Sequence, residues 1–126
     1  MQLKKQNLVI LLLLSMLLMA TNCQAESDSK VMTIADIYAN KASLKGKKVK
    51  VKGKVVKVSH SIMKLNWVHI VDGTGAMATD KLIFRTPNAT PKVNDEVTAE
   101  GTIDTDLDFG YGYTYSMLAN DATFSQ

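Results

Sequence analysis

One cysteine and two histidines occur in 126 residues. A lone thiol excludes a disulfide framework, and two imidazoles leave too few side chains for a zinc cage. Only two prolines and seven glycines are present, so the chain is neither a proline-rich spacer nor a low-complexity segment. Aromatic residues make up 6% of the chain, with a single Trp. No serine sits in a glycine elbow beside a base, no nucleophile–base arrangement is visible, and the carboxylates fall in turns. The sequence therefore reads as a non-enzyme without a cofactor. No internal repeat or linker interrupts it, and the length suits one domain.

The apolar residues are unevenly spread. Residues 8–20 contain twelve apolar side chains and Ser15, preceded by Lys4 and Lys5 and followed by Thr21-Asn22-Cys23-Gln24-Ala25. Thirteen residues are too few to cross a bilayer, which takes about 20. Positive start, short apolar run and small-residue exit predict a signal peptide over 1–25 with cleavage after Ala25, and hence a periplasmic protein. The rival is a lipoprotein anchored at Cys23, against which stands the bulky polar Asn22 where a small residue is usual. Cleavage removes the only thiol, which suits an oxidising compartment. Setting Lys4 and Lys5 aside leaves thirteen bases against 12 acids. Net charge then gives little support to a general polyanion-binding role.

Residues 26–32 form a polar lead-in to a domain over 33–126. Thr33 precedes Ile34-Ala35-Asp36-Ile37-Tyr38, so a capped helix over 34 to about 42 is expected. Lys45-Gly46-Lys47 turns the chain out of it. Val49, Val51, Gly53 and Val55 then alternate with Lys48, Lys50, Lys52 and Lys54, the mark of a strand with one wet face. Val55-Val56 breaks the alternation, which predicts a bulge or sharp coil between Gly53 and Val56. Further strands are expected over Asn66–Val71, Lys81–Thr86, Glu96–Asp104 and Tyr113–Leu118, with a possible extension at Ala122-Thr123-Phe124. Five short strands with glycines inside the first and fourth indicate an all-β Greek-key barrel, most economically an OB-fold with a short N-terminal helix.

A family resemblance rests on these same residues. Gly46…Val51-Lys52-Gly53-Lys54-Val55-Val56, Val71-Asp72-Gly73-Thr74-Gly75 and Pro91-Lys92-Val93-Asn94-Asp95-Glu96-Val97…Gly101-Thr102-Ile103 resemble the small exported bacterial OB-fold proteins. Ile62-Met63-Lys64-Leu65-Asn66-Trp67-Val68-His69 is similar to a periplasmic tRNA-anti-like OB subgroup, some of it NrfJ-related, accessory to cytochrome c nitrite reductase. That subgroup usually carries Gly after the Met, where this chain has Lys64. The resemblance implies a non-enzymatic exported binding module.

Three constellations are candidates for ligand contact. Nine lysines lie between Lys41 and Lys64 with no acid among them, either an anionic-ligand footprint or a solvated strand face. Asp104-Thr105-Asp106-Leu107-Asp108-Phe109-Gly110-Tyr111-Gly112-Tyr113 is expected to be the loop between strands four and five. Its rings offer stacking surfaces and its carboxylates repel phosphate; a solvated hairpin tip is the plainer reading. The Asp104, Asp106, Asp108 spacing lacks the Gly and Glu that an EF-hand needs. Trp67 and His69 share one strand face, forming a stacking platform if it faces outward and a core contribution if inward. His60, Met63, His69 and Met77 have no fixed metal spacing, and Met more often fills core gaps. Expected ligand contacts are Trp67, His69, Asp106, Asp108, Phe109, Tyr111 and Tyr113, framed by the acidic aromatic loop and a first loop over Ser59–Leu65.

These features predict a binding or accessory module for an envelope glycan, peptide or partner protein. Single-stranded nucleic acid is the alternative, favoured by the barrel and lysines, opposed by export and the acidic loop. Service to a periplasmic cytochrome c system is the third reading.

Overall fold

The computed structural model describes residues 30–126; the predicted signal peptide, Cys23 and most of the polar lead-in lie outside them. Two short helices, α1 (Ile34–Ala39) and α2 (Lys41–Leu44), precede five strands. These are β1 (Lys48–Ile62), β2 (Leu65–Val71), β3 (Lys81–Thr86), β4 (Glu96–Asp108) and β5 (Thr114–Ser125). The strands close into a ring in the order β1-β2-β3-β5-β4. β1 is the hinge of the ring: its first half pairs with β4 and its second half with β2, both antiparallel. β3 and β5 meet in parallel at Phe84 and Ala119.

Alternation in the sequence drives this closure. Val49, Val51 and Val55 point inward and are buried, as are Val97, Ala99 and Ile103 of β4, where Ala99 pairs with Val51 and Val97 with Gly53. Val68, Ile70, Leu82 and Phe84 complete the interior, and Ile34 and Ile37 of α1 pack onto it. Fully burying each such aliphatic side chain stabilises the fold by roughly 1.5–3 kcal/mol. At Gly53, β1 passes close against β2. A Cβ there would collide with the Val71 carbonyl oxygen, so only glycine lets the strand coil between its two partners.

The expected bulge is present. Val55 pairs with Ile70 and Lys57 with His69, which leaves Val56 as one extra residue on β1. Inward-facing positions move from odd to even numbers, so Val58, opposite Val68, continues the core. Lys57 and Ser59 are turned to the outer face by the same step.

The helix is held from a distance. The Thr33 side chain accepts from Asp36 N–H at 3.1 Å, as its sequence position predicts. Two other amides of the first turn are satisfied by the turn after β2: Ile34 N–H donates to Asp72 Oδ2 at 2.8 Å and Ala35 N–H to Thr74 Oγ1 at 3.1 Å. α1 ends at Ala39, short of residue 42, because the chain re-caps at Asn40 before α2.

Both hairpins are longer than the sequence suggests. β1 runs on to Ile62, so the first loop shrinks from Ser59–Leu65 to the two residues Met63-Lys64. β4 runs to Asp108, so Asp104–Asp108 are strand and the loop is only Phe109–Tyr113. Pairing overrides the poor strand propensity of the aspartates: Thr105 and Leu107 point toward the protein while Asp106 and Asp108 face water. β5 is one strand from Thr114 to Ser125, with a register shift opposite Glu100–Thr102.

Candidate functional site

The outer face of β2 carries Trp67 and His69, which alternate with the core residues Val68 and Ile70. Across β1 their partners are Ser59 and Lys57, and across β3 they are Arg85 and Ile83. The two extended hairpins rise beside this face. Between them lies a cleft of about 360 Å³. The β1–β2 hairpin contributes Lys57, Ser59, Ile62 and Met63; the β4–β5 hairpin contributes Phe109, Tyr113 and Tyr115. Trp67 and His69 form the floor.

Trp67 is neither an open platform nor part of the ring's interior. It stands on the outer face, yet is only 3% exposed. Phe109 meets it at a centroid distance of 6.0 Å and an angle of 67°, and Tyr115 at 5.3 Å. The Arg85 guanidinium lies 5.2 Å from the Trp67 ring and 5.4 Å from Phe109. Its Nε donates to Asn120 Oδ1 at 2.7 Å, tying β3 to β5. Burial lowers the Arg85 pKa, opposed by Asp104, Asp121 and Tyr115. The indole N–H donates to the Ile62 carbonyl at 3.1 Å, which fixes Trp67 to the end of β1. Edge-to-face packing of this kind is worth about 0.5–1.5 kcal/mol per pair beyond burial.

His69 is half-buried, and its Nδ1 is buried without a hydrogen-bond partner among the described residues. Burial, then Lys81 and Lys57, lowers its pKa from 6.5 to about 4. The ring is therefore neutral at pH 7.

The expected contact residues divide. Trp67, His69, Phe109 and Tyr113 meet at the cleft. Tyr111 stands fully exposed at the hairpin tip, beyond the lining. Asp106 points elsewhere: its Oδ1 accepts from Lys41 Nζ at 2.8 Å, and that hydrogen bond lowers its pKa. Asp108 Oδ1 accepts from Gly110 N–H at 2.8 Å and serves the hairpin's own turn. Thus the acidic run does not line the cleft. Two acids earlier on β4, Glu96 and Glu100, lie beside the lysine stripe. Lys50 pairs across with Glu100 and Lys54 with Glu96, and Lys48 Nζ lies 3.7 Å from Glu100. Glu96 and Glu100 face the lysines across β1 and β4, which supports the solvated-face reading of the stripe.

Lys57 and Tyr115 lie outside both the expected contacts and the expected framing loops, whereas Ser59, Ile62 and Met63 belong to the first loop expected to frame the ligand and line the cleft. The broken alternation at Val55-Val56 was the available signal for Lys57 and Ser59, since it reverses which residues face out. Of the four soft-metal candidates, Met63 and His69 reach the cleft, His60 is exposed, and Met77 lies by a separate hollow. No cluster of three His, Cys, Asp or Glu among the described residues is arranged to hold a metal ion. No helix among them is long and apolar enough to cross a membrane.

A scan of the chain against protein-family models finds no match, and a search of curated proteins finds none.

Proposed function

We propose that this protein is an exported, non-catalytic OB-fold module that grips a peptide or protein partner of the cell envelope. The observation that carries this reading is the aromatic cleft between the two hairpins on the outer face of β2. Three features support the OB assignment: five strands, β1 shared between β2 and β4, and a parallel β3–β5 contact. In such barrels the ligand face is that of strands two and three, flanked by the first and last hairpin loops. The cleft occupies the corresponding position and has the size and apolar lining of small-ligand sites. A side chain fits it better than a sugar ring does, because Trp67 is walled by Phe109, Tyr115 and Arg85 and presents no open flat face. Export rests on the leader sequence.

Trp67, the only Trp, supplies the assay. Peptides are expected to change its emission in a saturable way, and Phe109→Ala to weaken that response. A response confined to neutral oligosaccharides would refute the reading. Single-stranded nucleic acid is a second reading, favoured because Asp106 and Asp108 turn away from the cleft. Oligonucleotide binding that falls steeply with salt would support it.

A further inference from the structure

We infer that the part of the partner seated in the cleft is a bulky apolar side chain with a carboxylate directly beside it, as at the C-terminal end of a peptide. This rests on the binding-module reading and specifies its ligand. The cleft lining is of two chemical kinds. Ile62, Met63 and Phe109, at or next to the two hairpin turns, are apolar and fit a side chain. Lys57 and Ser59, further back along β1, make a short polar row as the cross-strand partners of His69 and Trp67. No acid lines the cleft, and Lys57 makes no salt bridge among the described residues.

A carboxylate against this row accepts from Lys57 Nζ and from the Ser59 hydroxyl. The potential there is positive, since Lys57 and Lys81 both disfavour a proton on His69. One lysine matches the single charge of a carboxylate. The lining holds no arginine fork, which is the usual device for a phosphate. The nearby Arg85 is engaged with Asn120 and stacked on Trp67.

The test compares three probes by Trp67 fluorescence: acetyl-Ala-Ala-Phe with a free C-terminus, the same peptide amidated, and phenyl phosphate. The free acid is expected to bind about tenfold or more tighter than the amide, the scale of one lost hydrogen bond to a charged group. Lys57→Met keeps the aliphatic stem and is expected to bring the acid-to-amide affinity ratio down to about one. Lys57 is exposed, so the variant keeps its fold. Equal binding of acid and amide overturns the carboxylate assignment but leaves the peptide cleft standing. Tightest binding by phenyl phosphate overturns it in favour of a phosphate ligand. No response to either peptide at millimolar concentration overturns both the assignment and the peptide-binding reading.

Discussion

His69 makes the stability of this protein depend on pH in a calculable way. Its folded pKa is lowered from 6.5 to about 4, first by burial and then by Lys81 and Lys57. The unfolded chain therefore takes a proton at this position below about pH 6.5, while the folded chain refuses it until about pH 4. Between those values the unfolded state binds more protons, so stability falls as pH falls. Above the unfolded pKa this group subtracts nothing, and below the folded pKa its penalty is complete. A tenfold change in proton affinity is about 1.4 kcal/mol, so the gap spans about 3 kcal/mol before screening. Water reaches part of the ring, and discounting for that exposure leaves about 1–2 kcal/mol. His69→Gln removes the titration while keeping a polar side chain. Urea unfolding followed by Trp67 emission, from about pH 7.5 to about pH 4.5, measures the effect. The native protein is expected to lose about 1–2 kcal/mol more than the variant over that range. His60 and the carboxylates are common to both proteins and cancel. Parallel stability curves for the two would refute the reasoning and place His69 in ordinary solvent.

Gly53→Ala is expected to destabilise the fold by about 1–3 kcal/mol, because the added methyl meets the Val71 carbonyl and β2 must shift; chemical denaturation checks it, and an unchanged midpoint would contradict the close approach. Asp72→Ala is expected to cost about 1–2 kcal/mol by uncapping α1, with amide exchange of Ile34 rising more than that of Val68. Met63 and Lys64 both have positive φ, at 51° and 65°, the pattern of a two-residue hairpin turn that favours glycine second. Lys64→Gly is therefore expected to raise stability by about 0.5–1 kcal/mol, read as a higher thermal midpoint; a lower midpoint would refute the turn assignment.

Period-two alternation made the ring's interior legible, since Val49, Val51, Val55, Val97, Ala99 and Ile103 all face inward as their spacing demands. The cap at Thr33 was equally readable because it is local. The second layer of capping was not: Asp72 and Thr74 lie 38 and 39 residues from the amides they serve. Hairpin lengths were misjudged at Asp104–Asp108, where composition spoke for a loop and cross-strand pairing with Thr114–Leu118 prevailed. The site was half legible. Trp67, His69, Phe109 and Tyr113 stand out by residue type. Arg85 reaches the Trp67 ring through the β2–β3 register, and Tyr115 through a contact between strands far apart in the chain. The acidic run misled for the same reason, because only register shows that its carboxylates face lysines, solvent or their own turn.

The surplus residue at Val56 sets the phase of everything after it on β1. Were Val56 to pair regularly instead of bulging, the downstream segment would rotate half a pleat: Val58 would meet water, and the ammonium of Lys57 would be driven toward Val68 and Ile70. The chemical character of the cleft thus hangs on an odd or even count, not on which amino acids follow. Any relative that lacks the insertion must write its polar row on the opposite set of positions to present the same surface.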